Sequence, residues 1–115
     1  MKVWFYEYPQ GGHVKIVLRR MGGMRRDIGW GIDTYPYILT LIRGVWEAKS
    51  HDDRKFVEKE TEVLGHPVLY ENNGSLADFW REVGKLLINR GIVLHRLQGE
   101  TPESEEFVQK ILRHI

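Results

Sequence analysis

Leu76, Phe79, Trp80, Val83, Leu86 and Leu87 recur at spacings of three and four, the period of one helix face. Ser75 with Asp78 three residues on makes a capping pair, and Gly91 supplies a stop, so a helix is predicted between them. Phe107, Val108, Ile111, Leu112 and Ile115 repeat the stripe behind Thr101-Pro102-Glu103, which opens a second helix. A third is predicted over His51–Leu64. Ser50 stands in the capping position, Asp52 and Asp53 fall in the first turn, and Phe56, Val57, Val63 and Leu64 would face inward before Gly65. His66–Tyr70 and Ile92–Leu97 read as short strands, with Asn72-Asn73-Gly74 as a turn.

The first half has a different pattern. Val3–Tyr8 is aromatic and β-prone, and Pro9-Gln10-Gly11-Gly12 is a turn. His13–Arg20 alternates like a return strand, although Val14, Val17, Leu18 and Met21 also fit a helix face. Residues 34–49 carry the same double reading, since Ile38, Leu41, Ile42 and Val45 would line a helix while the composition is β-rich. A cap at Ser50 implies that a different element ends there. This favours a hairpin of Tyr35–Ile42 and Val45–Lys49 about Arg43-Gly44. The expected fold is α/β (α+β): one small domain over residues 1–115, with a mixed sheet of about five strands and three C-terminal-half helices packed on it.

Composition narrows the function classes. The 115 residues contain no cysteine, which removes thiol catalysis, disulfides and cysteine zinc sites and suits a reducing compartment; a cytoplasmic location is expected. Apolar runs are only a few residues long and the first residues lack a signal-peptide pattern, so no membrane partner is expected. Net charge is +1, but its distribution is uneven. Residues 1–49 hold eight basic against four acidic side chains, and residues 50–115 hold nine against twelve. Such a basic half points to a polyanionic partner. Arg19, Arg20, Arg25 and Arg26 flank Met-Gly-Gly-Met, where guanidinium forks and close backbone approach suit phosphate, and Trp30 between two glycines is placed to stack on a base. Nucleic acid, DNA or RNA, is the expected partner.

If residues 35–49 form the hairpin, Asp33 enters one strand while Glu47 and Lys49 project from one face of the next. Two converging carboxylates suit Mg²⁺ or Mn²⁺, and a lysine beside them serves the attacking water. The residues Gly31-Ile32-Asp33 and Val45-Trp46-Glu47-Ala48-Lys49-Ser50 resemble the PD-(D/E)xK nuclease superfamily, with Ile32 in the place of the named proline. That resemblance implies metal ligands at Asp33 and Glu47, a catalytic lysine at Lys49, and metal-dependent hydrolysis of phosphodiester bonds. A domain this small offers little surface for a duplex, so a homodimer is expected to set two sites on the substrate. Two other readings stand beside it. One is a non-catalytic nucleic-acid-binding or protein-interaction module, of the viral or mobile-element kind. The other rests on Val3–Pro9, a helix from Gly12, and Pro67 ahead of a strand, which look like a redox-dead thioredoxin-type domain.

Overall fold

A computed structural model describes residues 1–22, 25–26, 33–50, 53–70 and 75–114, with the side chains at 25, 26, 33, 49, 50, 53 and 75 left out of the description. Strands β1 (Lys2–Glu7), β2 (His13–Arg20), β3 (Arg25–Arg26), β4 (Asp33–Ser50), β5 (Asp53–Gly65) and β6 (Val68–Tyr70) precede helix α1 (Ser75–Ile88). A single 3-10 turn (Leu94–Arg96), strand β7 (Gln98–Gly99) and helix α2 (Pro102–Arg113) complete the chain. The strands form one sheet in the order β3-β4-β2-β1-β7, with β5 and β6 also pairing on β4. Every described pairing is antiparallel. The architecture is therefore α+β, with an antiparallel sheet where a mixed one was expected.

Registered pairs assign each strand residue to a face. The row Trp4–Ile16–Leu41 crosses β1, β2 and β4, and its neighbours Tyr6–Val14 and Leu18–Leu39 continue the same face. All seven side chains are buried together with Phe79, Trp80, Val83 and Leu87 of α1 and Val108 and Ile111 of α2. Alternation along β2 shows the cause directly, since Val14, Ile16 and Leu18 are buried while His13, Lys15 and Val17 between them are only half-buried. Both helices thus cover one face of the sheet. The opposite face carries Phe5, Lys15, Val17, Ile38, Thr40 and Ile42, and no helix residue lines its two hollows among the described residues. Helix α2 is locked to the sheet at its start. Thr101 caps it by accepting from the Ser104 N–H, Trp4 Nε1 donates to the Ser104 carbonyl at 2.9 Å, and Glu105 accepts from the Gly99 N–H at 2.6 Å.

Three predicted elements are corrected. Residues 35–49 are not a hairpin: β4 runs unbroken through Arg43-Gly44, and the bulge lies opposite it in β5, where Lys59 is left out of register between Glu58 and Glu60. Gly44 is required there, because a Cβ would sit 2.3 Å from the Val57 carbonyl oxygen and 2.7 Å from the Phe56 ring. The helix predicted over His51–Leu64 is, from Asp53 on, strand β5, the partner of β4, while His51 and Asp52 lie outside the described residues. Its apolar residues fall in pairs, Phe56-Val57 and Val63-Leu64, and the bulge at Lys59 between them shifts the strand's phase so that the spacing imitates a helix. Ile92–Leu97 is not a strand either. Ile92, Leu94 and Leu97 are buried as a peg in the core around the 3-10 turn, and only Gln98–Gly99 join β1. Two helices result where three were expected. The helix from Gly12 that a thioredoxin-type order requires is strand β2.

Candidate nucleic-acid interface

The helix-free face is built from the same strands as the core. The row Phe5–Lys15–Ile42–Thr61 crosses four of them, and Val3–Val17–Thr40–Val63 runs beside it. Strand β2 ends at His13, opposite Gly44, so the last residues of β4 continue with β5 alone as a two-stranded arm. Trp46 and Phe56 are registered partners at the root of that arm. Their rings meet at 5.2 Å between centroids, and Phe5 from β1 closes the cluster at 4.9 Å from Trp46 and 5.7 Å from Phe56. All three rings are half-buried, so part of each remains open to a ligand. The Arg54 guanidinium lies over the Trp46 ring at 4.7 Å, a cation–π contact on an exposed side chain.

Basic residues extend from the aromatic cluster across the sheet. Lys15 lines both the hollow beside the rings, about 490 Å³, and a second of about 300 Å³ that reaches Arg19 and Ile38. Its ammonium meets Glu58 at 3.3 Å, and this exposed pair is weak enough to exchange partners. On the other side of the rings a cleft of about 750 Å³ lies between the arm, the β1–β2 turn and the segment from His95 to Glu100. Phe5 and Trp46 form its apolar wall, while Arg54, Arg96, His13 and His95 bring nitrogen donors. Glu7 and Glu100 also line it, and Glu7 is 3.8 Å from the His13 ring.

The residues predicted for chemistry are distributed differently from expectation. Asp33 begins β4, registered with Arg26, whereas Glu47 lies near the other end, registered with Lys55. Fourteen residues of strand at about 3.3 Å each place them on the order of 40 Å apart. One ion would need both carboxylates within about 2.6 Å. The structure therefore does not bring Asp33 and Glu47 together within one chain, because β4 runs on unbroken where a turn was to fold it back. Lys49 shares the end of β4 with Glu47, and its side chain lies outside the described residues. Among the described residues no three His, Asp or Glu side chains are grouped to hold a metal ion.

Of the predicted nucleic-acid contacts, Arg19 and Arg20 are both exposed but project to opposite faces, as neighbours on a strand must. Arg19 joins the helix-free face, while Arg20 lies over the Tyr35 ring at 5.1 Å on the helix side. Arg25 and Arg26 form β3 against Thr34 and Asp33, and Trp30 lies outside the described residues. Sequence reasoning missed Phe5, Lys15, Trp46, Arg54 and Phe56. The alternation of β2 already separates Lys15 from the core residues beside it, whereas Phe5 lies within an unbroken apolar run, and Trp46 and Phe56 meet only once β5 is a strand.

No helix among the described residues is long and apolar enough to cross a membrane. Comparison with known proteins finds no matching family model, no similar curated protein and no similar solved structure.

Proposed function

We propose that this protein is a non-catalytic nucleic-acid-binding module whose ligand lies across the helix-free face of the sheet. The observation that carries this reading is the half-open cluster of Phe5, Trp46 and Phe56, flanked by Arg54 and continued by Lys15 and Arg19. Aromatic faces offer sequence-tolerant stacking, and the cations follow a phosphate backbone. Core burial explains neither group, since the rings stand on the side away from both helices. The uneven charge along the chain supports the same partner. Mg²⁺- or Mn²⁺-dependent hydrolysis through Asp33, Glu47 and Lys49 forms no part of this reading, because its geometric premise was the hairpin.

Fluorescence anisotropy with short labelled oligonucleotides, titrated with salt and repeated in a chelator, tests it. Binding is expected at low salt, to persist without divalent metal, and to weaken as counterions are released, by roughly one power of salt concentration per phosphate neutralised. Failure of every oligonucleotide to bind at low salt would overturn the proposal.

A further inference from the structure

We infer that the preferred ligand is single-stranded nucleic acid, with one unpaired base seated in the cleft against Trp46 in the place now taken by the Arg54 guanidinium. The inference rests on the nucleic-acid reading above and names the form of ligand that this site selects. Three observations carry it. The cleft is about 750 Å³, inside the range of roughly 300–1,000 Å³ typical of small-ligand sites and ample for one nucleotide. Its apolar wall consists of ring surface from Phe5 and Trp46, which a duplex cannot use because its bases already stack on one another. And the Trp46 ring already carries a planar cation: the Arg54 guanidinium lies over it at 4.7 Å from the centroid, on the ring surface that a base would take.

The exchange follows from the side chains involved. Arg54 is exposed and its long stem lets the guanidinium leave the ring without moving the backbone. Once displaced, its fork is free to take a flanking phosphate oxygen, so little attraction is lost when the base enters. Arg96, whose guanidinium lies 5.9 Å from the Tyr6 ring, supplies a second cation at the far wall. Glu7 and Glu100 repel phosphate but are acceptors, suited to the exocyclic amine of a base. The acids therefore favour the base end of a nucleotide inside the cleft and leave its phosphates to Arg54, Arg96 and the basic strip outside.

Competition anisotropy between a single strand and its own duplex, at one fixed low salt concentration, reads the preference directly. The single strand is expected to bind roughly tenfold or more tightly, the scale of one base stacked on an aromatic ring. Trp46→Ala should collapse that ratio towards one, and Trp46→Phe should keep most of it, because a ring remains. Circular dichroism on both variants confirms that each is folded. A duplex that binds as tightly as the single strand, or a Trp46→Ala protein that keeps the full preference, would overturn the inference while leaving nucleic-acid binding intact. If neither form binds the wild-type protein, the broader reading falls and this one with it.

Discussion

The two faces of the sheet are made by alternate residues of the same strands, yet they do different work. Toward the helices, Trp4, Ile16 and Leu41 stand in one registered row and are fully buried. One residue further along each strand, Phe5, Lys15 and Ile42 form the parallel row on the other side, with a cation at its centre and an aromatic ring that is only half covered. An antiparallel sheet needs one dry face for stability, and its second face is free to meet solvent or a ligand. On the proposed reading, stability and recognition are separated by the pleat.

The sharpest way to break that comparison is to truncate one residue on each face. Leu41→Ala removes a fully buried side chain between both helices and the sheet. It should cost about 2–5 kcal/mol of unfolding free energy in a urea titration, the usual cost of a large-to-small change in a core that cannot collapse. Ile38→Ala, on the same strand but half-buried beside Arg19, should cost less than half as much. Equal losses at the two positions would mean that the helix-free face is covered in solution.

Arg19 and Arg20 offer a finer version of the same contrast. They are adjacent, equally charged and both exposed, so net charge cannot distinguish their variants. If the ligand lies on the helix-free face, Arg19→Glu should weaken oligonucleotide binding and reduce its salt dependence by about one power of salt concentration. Arg20→Glu should change neither beyond the small long-range effect of its charge. Indistinguishable binding isotherms for the two variants would place the ligand elsewhere.

The same contrast explains what was legible beforehand. Helices α1 and α2 were readable because they pack one stripe on one face, and each ends at signals that act locally: Thr101 and Pro102 at the start of α2, and Gly91 just after α1. Strand β1 was readable as a short aromatic, β-prone run that ends at a turn, and β2 because it pairs with β1 without a bulge, so the alternation of Val14, Ile16 and Leu18 survives in the sequence. The β4–β5 pair was not. Its three register shifts insert extra residues, and each insertion moves the side-chain phase from one face to the other. With that phase broken, Phe56-Val57 and Val63-Leu64 mimicked a helix, and Gly44, which permits a close approach, read as a turn. The site suffered most, because a constellation drawn from Asp33 to Lys49 depends wholly on where the chain turns back. Trp46 and Phe56 come together through long-range register, which no local signal encodes.

The smallest effect concerns an exposed contact on the helix side. Lys2 at the start of β1 bonds to Glu103 in the first turn of α2, and its side chain also lies over the Phe107 ring at 4.4 Å. The hydrogen bond and the charge of Lys2 hold the Glu103 carboxyl below its ordinary value of 4.5. A carboxylate whose folded pKa is lowered contributes stability that is complete above its unfolded pKa and is lost as the pH falls through the lowered folded value. Melting curves of wild type and Glu103→Gln should therefore differ slightly at neutral pH and converge in acid below the usual carboxylate range. The difference stays small because the Glu103 side chain is 67% exposed and water screens the pair. Oligonucleotide binding should be the same in both proteins, since Glu103 stands on the side of the sheet opposite the proposed ligand face. A gap between the melting curves that persisted in acid would show that the contribution of Glu103 does not come from its charge, and a change in binding would show that the two faces are coupled.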